Sequence, residues 1–503
     1  MSDFGWLSLL PPVLTIVLAI LTRNIIVSLA IGVFSGALIL SEYQPFKALL
    51  DLVENVMFVQ LSVPANTQVI ITLAAIGGFV NLLEASGGAA AFAKKITHYV
   101  STPLQAQLAA WVGGLGIFFT DTGNSLILGP LFQPIFRELK ICKEKLAFIL
   151  DSTSSPICIL IPFIGWGAYI MSLIEQSYAT EGLQEEAFAV LLHVMPYQFY
   201  AILALISVPL IAILRRDYGP MAKAQYALDI EHLNEHKVEK LQDYDDEKNE
   251  VSIWTIVLPL GVLFSLIAGL LTFHFLQSTS LAGVHIRSTL IISYLAAAIT
   301  CALVLRFLSQ YPMQKSLNLF VRGVEKMVFI MIILMFAWSL SDLCTQLGTG
   351  EFIAQQMKGV VSPNAFPVIV FFAGALISLS TGSSYGTFAI LMAIAIPVAV
   401  ELNAPLYVTI AAVLSGGLFG DHTSPISDTT VLASMGANCV HIQHVVTQLS
   451  YAVVSGLVAA LSFYLAAVYR TPYIIILGIG IQVIIFFFIM KFFGVKSKQL
   501  FSS

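Results

Sequence analysis

Three long stretches of the sequence contain no Asp, Glu, Lys or Arg. They run from Ser252 to Ile286, from Gly359 to Val400 and from Thr429 to Tyr469. A helix needs ~20 apolar residues to cross the hydrocarbon core of a bilayer, so the two longer stretches each have room for about two crossings. Strict alternation of apolar and polar residues is absent, which argues against an outer-membrane barrel. The sequence therefore predicts an all-α, polytopic membrane protein.

The composition indicates the same class of protein. Hydrophobic residues make up 58% of the 503 positions and charged residues only 11%, whereas soluble domains are about 25% charged. The net charge of −5 leaves no basic footprint for nucleic acid. The five cysteines show no paired spacing typical of a zinc site or a disulfide framework, and no cofactor is expected.

One hydrophilic segment divides the chain. Residues 215–250 hold 16 charged side chains in 36 positions. We predict a first membrane repeat over residues 1–214, a charged linker over 215–250 and a second membrane repeat over 251–503. Lys and Arg in the linker and near the C-terminus favour the cytoplasmic side of a bacterial plasma (inner) membrane. The apolar run that begins at Trp6 lacks the features of a cleaved signal peptide and is predicted to remain as a membrane helix.

Polar breaks interrupt the hydrophobic stretches at two places in each half. They cover residues 120–125 and 151–156 in the first half, and residues 380–387 and 416–425 in the second. This weak internal repetition is typical of transporters. Peptide groups released from a helix cost several kcal/mol in hydrocarbon, so they persist only when buried in protein or lining a wet cavity. The freed carbonyls and nearby hydroxyls predict a cation site near the middle of the bilayer.

Four aspartates lie on these breaks, namely Asp121, Asp151, Asp421 and Asp428. A charged side chain at the bilayer centre costs roughly 2.5–3.5 kcal/mol on insertion scales, so it marks a functional position. Removal from water favours the protonated carboxyl, whereas a bound cation favours the carboxylate. A proton and a sodium ion would therefore compete for such a group. The alternative is that these aspartates only cap the starts of half-helices.

The predicted cation- and proton-binding residues lie on the breaks or within four positions after them. They are Asp121, Asn124, Ser125, Asp151, Ser152, Thr153, Ser154, Thr381, Ser383, Ser384, Thr387, Asp421, His422, Thr423, Ser424, Asp428 and Thr429. The four aspartates are the predicted Na⁺ ligands, and His422 is a candidate proton carrier or pH sensor. His441 and His444 are interpreted as a loop pair, and Glu84 as the mark of a helix end.

Several motifs have counterparts in a known family. Residues 420–434, GDHTSPISDTTVLAS, closely resemble the signature of the NhaC-type sodium–proton antiporter family. Residues 143–153 (KEKLAFILDST) and 386–391 (GTFAIL) resemble further motifs of that family, and the likeness extends over most of the chain from about Ala74. The resemblance implies two inverted repeats, each with a re-entrant hairpin and a broken helix, in a protein class that commonly forms homodimers.

The resemblance also implies where the special segments lie. Residues 121–125 and 381–387 would be hairpin tips, and residues 152–155 and 422–424 would be unwound helix segments. The chain departs from the family at one point, because the family often has two adjacent acids where this sequence has Thr120 followed by Asp121. The missing carboxylate leaves both the sodium stoichiometry and the substrate open.

Two functions follow from these observations. The first is exchange of Na⁺ for H⁺ by alternating access. The second is a Na⁺- or H⁺-coupled carrier or exchanger of an amino acid or a small organic anion such as malate or lactate, since half-helix N-termini and hydroxyls can bind a carboxylate. No Lys or Arg lies inside a break, which favours the first. An enzyme, such as a hydrolase that uses Ser154 or Ser384, is disfavoured because no metal-binding His-Glu-x-x-His motif is found.

Overall fold

The computed structural model describes residues 4–97, 100–234, 252–277 and 282–495. Within these ranges the regular secondary structure is helical, apart from one isolated bridge between Asp217 and Val495. The predicted all-α fold is confirmed. Residues 235–250 of the predicted linker lie outside the described residues.

Fourteen α-helices precede the undescribed part of the linker. They are α1 (Leu10–Thr22), α2 (Ile25–Leu40), α3 (Pro45–Asp51), α4 (Phe58–Ser62), α5 (Pro64–Ala85), α6 (Gly88–Thr97), α7 (Pro103–Gly116), α8 (Asp121–Glu138), α9 (Lys143–Ser152), α10 (Ser155–Cys158), α11 (Gly165–Thr180), α12 (Ala187–Val194), α13 (Phe199–Leu214) and α14 (Gly219–Asn234).

Ten α-helices follow in the second half. They are α15 (Trp254–Gln277), α16 (Gly283–Leu308), α17 (Met313–Gln346), α18 (Thr349–Met357), α19 (Phe366–Thr381), α20 (Ser384–Glu401), α21 (Leu406–Thr423), α22 (Asp428–Gly436), α23 (His441–Tyr469) and α24 (Ile474–Phe492).

Many of these helices can cross a bilayer. By length and composition, eight of the described helices are long and apolar enough, and two bent helix pairs raise the number to as many as ten. The polytopic class predicted from the sequence is confirmed by these spans. The helices α8, α9 and α21, which carry most of the predicted site, are not among the eight. They are shorter or more polar elements packed within the bundle of spans.

Each half folds one pair of helices into a hairpin, α7 with α8 and α19 with α20. Thr120 Oγ1 accepts a hydrogen bond from the backbone N–H of Gly123 at 3.0 Å, and Ser383 Oγ accepts one from Gly386 at 3.2 Å. These N-caps satisfy donors that the first turn of a helix leaves unpaired. Because each helix begins at the residue that follows its cap, residues 121–125 form the first turn of α8. The hairpin tip implied for residues 121–125 therefore includes the helical start of α8.

Each half also breaks one helix. The first break separates α9 from α10 at residues 153–154, and Pro156 follows it. The second separates α21 from α22 at residues 424–427 and contains Pro425. Proline disfavours helical geometry in the residue before it, and Ser424 is accordingly extended, with ψ at 130°. The implied unwound segment 422–424 is therefore displaced, since α21 remains helical through Thr423.

The hairpin of the first half packs closely against the broken helix of the second half. A Cβ atom added to Gly129 on α8 would lie 2.2 Å from the carbonyl oxygen of Gly436 at the end of α22. A Cβ atom on Gly436 would in turn lie 2.4 Å from the carbonyl oxygen of Ser125. Glycine at both positions allows the two backbones to touch, as small residues do between membrane helices. The two halves are thereby interlocked beside the predicted site.

Candidate functional site

Asp151, in the last turn of α9, is buried with 1% of its surface exposed. Its Oδ2 atom accepts a 2.6 Å hydrogen bond from Gln448 Nε2 and lies 3.3 Å from His444 Nε2. Both partners come from α23, and His444 has no exposed surface. The other carboxylate oxygen, Oδ1, has no hydrogen-bond partner among the described residues. Asp151 therefore offers one buried oxygen that its protein neighbours do not use.

His422 connects the broken helices of the two halves. Its Nε2 atom lies 3.4 Å from Ser152 Oγ at the end of α9, and its Nδ1 atom lies 2.7 Å from the Tyr200 hydroxyl on α13. The backbone carbonyl of His422 also accepts a hydrogen bond from the side-chain amide of Gln448. Since Gln448 binds Asp151 as well, one amide joins both breaks.

Asp421 lies beside His422 in α21 and is 4% exposed. Its Oδ2 atom accepts a 2.9 Å hydrogen bond from Ser384 Oγ, at the start of the second hairpin's α20. Its Oδ1 atom has no partner in the part of the chain that the structure describes. A second buried carboxylate, from the other half, thus also presents an unpaired oxygen.

Ser384 does not have the environment of a catalytic serine. Residues 382–386 do fit the Gly-x-Ser-x-Gly pattern, but a nucleophile elbow is a turn from a strand to a helix with a histidine base. Here the turn joins two helices, and the hydroxyl donates to Asp421. The arrangement is typical of a side chain that holds a carboxylate in place.

Asp121 is the first residue of α8 and is half-buried. Its Oδ2 atom accepts a 3.1 Å hydrogen bond from the indole N–H of Trp166, and Ser154 Oγ donates to its backbone carbonyl. The Trp166 ring also packs on Tyr385 at a centroid distance of 4.7 Å. Because Tyr385 is the second residue of α20, Trp166 lies between the starts of the two hairpin helices.

A second carboxylate lies at the first hairpin, and it comes from another helix. Glu84 marks a helix end as predicted, since α5 ends at Ala85. A Cβ atom on Gly123 would lie 2.5 Å from Glu84 Oε1, so the carboxylate closely approaches the start of α8. Its Oε2 atom is 3.8 Å from Lys326 Nζ. The sequence lacks an adjacent acid before Asp121, but the fold places an acid beside this turn.

Asn124 ties the first hairpin to the first break. Its Nδ2 atom donates to the backbone carbonyls of Thr153 at 2.6 Å and Gly114 at 3.2 Å. Its Oδ1 atom and the neighbouring Ser125 Oγ are buried and have no partner among the residues described. Both atoms are oxygens, which are the ligands that hard cations prefer.

The other predicted residues mostly bind within or next to their own helix. Thr153, Thr381, Thr387 and Thr423 donate to carbonyls four positions earlier, Ser424 donates to the Leu379 carbonyl, and Thr429 contacts Ser427. Asp428 is exposed, and its Oδ1 atom accepts from the backbone N–H of Thr429. Asp428 is the first residue of α22 and follows the cap position, which is occupied by Ser427; the capping role raised for Asp428 from the sequence stays a hypothesis.

Among the described residues, the four predicted aspartates do not form a metal-binding cluster. In the described parts of the chain, no group of three or more His, Cys, Asp or Glu side chains is arranged to hold a metal ion. The buried unpaired oxygens belong instead to two carboxylates and to amide and hydroxyl groups, including Asp151, Asp421, Asn124 and Ser125. The assignment of these residues as Na⁺ ligands stays a prediction.

Sequence reasoning missed several residues of this site. The interpretation of His441 and His444 as a loop pair is wrong, because both lie on α23, and His444 is also fully buried. Gln448, Tyr200 and Trp166 were not singled out. A signal existed in α23, because His444, Gln448 and Tyr451 recur at positions i, i+4 and i+7 of an apolar helix and so share one face.

Hairpins and broken helices that meet at buried carboxylates inside a bundle of membrane spans define a membrane transporter. The comparisons with known proteins agree with this class. The model of the Na⁺/H⁺ antiporter family matches residues 157–468. The chain belongs to the Na⁺/H⁺ antiporter family.

Curated relatives include proteins of several kinds. An uncharacterized protein of Haemophilus influenzae is 30% identical over 472 residues, which cover 90% of this chain and 88% of the relative. A malate-2H⁺/Na⁺-lactate antiporter of Bacillus subtilis is 25% identical over 212 residues, 42% of each chain. A putative amino acid transporter of the same species is 23% identical over 313 residues, covering 62% of this chain and 63% of the relative.

A solved structure shares the fold. The YdaH transporter of Alcanivorax borkumensis superimposes with a TM-score of 0.54 at 13% sequence identity, covering 85% of this chain and 90% of that transporter. At this identity the similarity concerns the fold alone.

Proposed function

We propose that the protein exchanges Na⁺ for H⁺ by alternating access across a bacterial plasma membrane, with its linker on the cytoplasmic side. The observation that carries the proposal is the pair Asp151 and Asp421. They are buried acids from the broken helices of the two halves, and each has one oxygen without a partner in the part of the chain that the structure describes. His422 lies between the elements that hold them.

The charge of the site favours a cation. In the described residues, no Lys or Arg forms an ion pair with Asp151 or Asp421, and Lys145, Lys326 and Arg287 pair with other acids. Asp151 has the His444 imidazole beside it, which is a counter-ion only when it is protonated. A buried carboxylate without a counter-ion is costly. Either a proton or a sodium ion removes that cost, and the two compete for the same oxygen. Binding of one ion then drives release of the other, which is the exchange reaction.

The remaining contacts suit an exchange that involves both halves. Asp421 is held by Ser384 of the second hairpin, and Asp151 is held by Gln448 and His444 of α23. Tyr200 and His422 are hydrogen-bonded at 2.7 Å and offer a path for a proton next to these acids. A movement of one half against the other would change which ligands surround the unpaired oxygens. Such a change is what alternating access requires.

A second candidate is a Na⁺- or H⁺-coupled carrier of a small organic anion or an amino acid. The relatives with such names motivate it, together with the helix N-termini at both hairpins, since the positive end of a helix dipole attracts anions. Asp121 and Asp428, however, place negative charge on the first residues of α8 and α22. The starts of α10, at Ser155, and of α20, at Ser384, carry no acid in their first turn. The Ser384 hydroxyl is bonded to the Asp421 carboxylate, however, so cation exchange is the better-supported function.

Transport by purified protein in proteoliposomes distinguishes the two functions. With a pH-sensitive dye inside the vesicles, a jump in external Na⁺ or Li⁺ should drive proton movement in the wild type but not in Asp421→Asn. Counterflow of labelled malate, lactate and amino acids tests the second function in the same vesicles. Proton movement that requires one of these organic substrates would overturn simple Na⁺/H⁺ exchange in favour of the carrier.

A further inference from the structure

Asp217 belongs to the predicted charged linker, yet the structure buries it, with 6% of its surface exposed. Its carboxylate forms an ion pair with Lys145 of α9, which is equally buried. It also accepts a 2.7 Å hydrogen bond from the Tyr451 hydroxyl of α23. One acid of the linker therefore binds two transmembrane-domain helices at once.

These are the two helices that meet at Asp151. Lys145 precedes Asp151 by six positions on α9, about 9 Å along a helix, and Tyr451 follows Gln448 by three positions on α23, about 4.5 Å. The contacts of Asp217 consequently lie within about two helical turns of the contact between Asp151 and Gln448. A shift of α9 relative to α23 would disturb both sets of contacts.

Other bonds hold the same segment in place. The Tyr218 hydroxyl donates to the Ser450 carbonyl of α23, and Gln225 of α14 accepts from the backbone N–H of Cys142 just before α9. The backbone of Asp217 also pairs with Val495 near the C-terminus in both directions, at 3.3 and 2.8 Å. The start of the linker is thus bonded to α9, to α23 and to the end of the described chain.

We propose that Asp217 is a positioning residue for transport, which clamps α9 to α23 so that Asp151 meets His444 and Gln448. The inference rests on the proposed function in assigning ion binding to Asp151. A buried ion pair is a weak source of stability, because desolvation offsets most of its attraction. Fixing the register of two helices is a better explanation for the pair of Asp217 and Lys145 than stability alone.

Transport kinetics test this role. Asp217→Asn should raise the KM for Na⁺ at least tenfold while changing kcat much less, and Asp217→Glu should restore part of the affinity. Glu175→Gln is the matched control, since it breaks a partly buried ion pair with Arg287 elsewhere in the fold; its KM should stay at the wild-type value. An unchanged KM in Asp217→Asn, or an equal rise in Glu175→Gln, would overturn the proposal.

A double-mutant cycle tests whether Asp217 acts through His444. If it does, Asp217→Asn combined with His444→Gln should have a KM close to that of the worse single variant. Fold-changes that multiply would show that the two residues act separately and would overturn the clamp. If Asp217→Asn does not fold, Tyr451→Phe removes one bond of the clamp and should raise KM about threefold; no rise would count against the proposal.

Hydrogen exchange separates this inference from the proposed function. In Asp217→Asn, amides in residues 143–152 and 441–451 should exchange faster than in the wild type, whereas Glu175→Gln should leave them unchanged. This measurement requires no transport activity. If the wild type shows no Na⁺-driven proton movement, the proposed function fails. The hydrogen-exchange rates of these amides still test whether Asp217 holds α9 against α23. Equal hydrogen-exchange rates in Asp217→Asn and the wild type would overturn the proposed role of Asp217.

Discussion

His444 Nε2 lies 3.3 Å from Asp151 Oδ2, and the two buried residues are 293 positions apart in the sequence. The contact joins the broken helix of the first half to α23 of the second half. The atom of Asp151 opposite this contact is the unpaired Oδ1. The orientation of a candidate ion-binding oxygen in one half is therefore set by a side chain of the other.

Replacement of His444 by leucine should weaken Na⁺ binding. Loss of a buried hydrogen-bond partner costs about 1–3 kcal/mol, which corresponds to at least roughly fivefold in affinity. Asp151 would keep only Gln448 as a partner, so its charged form would be less favourable. The KM for Na⁺ in proteoliposomes measures the effect. His193→Leu is the control, because His193 is an exposed residue paired with Glu185, and an equal rise in that variant would contradict the assignment.

Asp421→Asn and Asp428→Asn should have unequal effects. Asp421 is buried and held by Ser384, so its neutral replacement should abolish exchange. Asp428 is exposed and binds a backbone N–H, a contact that asparagine can retain. Its charge at the start of α22 is worth about 0.3–1 kcal/mol, so a severalfold loss at most is expected. Initial rates of Na⁺-driven proton movement give the ranking, and the reverse order would refute it.

Trp166→Phe should reduce Na⁺ affinity through Asp121. The substitution removes the indole N–H that binds Asp121 Oδ2 but keeps an aromatic ring against Tyr385. A hydrogen bond to a charged group is worth about 1.5–3 kcal/mol, so KM should rise roughly tenfold or more. Trp111→Phe is the control, because it removes an indole hydrogen bond to a neutral acceptor, the Leu205 carbonyl. Similar KM values for the two variants would show that Asp121 does not take part.

Gly129→Ala should destabilise the protein. The added Cβ atom would meet the backbone of Gly436, which cannot turn aside as a flexible side chain can. Overpacking of this kind costs about 1–3 kcal/mol, so the melting temperature in detergent should fall. Gly261→Ala, on α15, places its Cβ in open space and should leave the melting temperature unchanged or raise it slightly. Equal melting temperatures would mean that α8 and α22 are not in contact.

Features with a local cause could be predicted from the sequence. Glycine, proline and hydroxyl residues favour breaks in helices, so composition indicates one break in each half. The first lies within the predicted residues 151–156, whereas the second, at 424–427, overlaps only the end of the predicted 416–425 because α21 stays helical through Thr423. The aspartates on them were found because charge is conspicuous in an apolar chain. The exact first residues of α8 and α20 do not follow from composition, because the N-caps Thr120 and Ser383 determine them.

Features with a distant cause could not be predicted in this way. His444 resembles a surface histidine until α9 is packed against it, and Tyr200 becomes a partner of His422 only through contact across 222 positions. Asp217 belongs to the segment that the sequence predicts as a charged cytoplasmic linker, because 16 of its 36 residues are charged. Its burial depends on Lys145 and Tyr451, which only the tertiary structure brings together.

The central claim is that Na⁺ and H⁺ compete for the buried carboxylates Asp151 and Asp421. The most direct measurement is a Na⁺ titration of the purified protein in weakly buffered detergent solution, with the released protons counted by a pH indicator. Na⁺ should release protons from the wild type, and the double variant Asp151→Asn/Asp421→Asn should release none. Na⁺ binding without proton release, or undiminished release from the double variant, would contradict this claim.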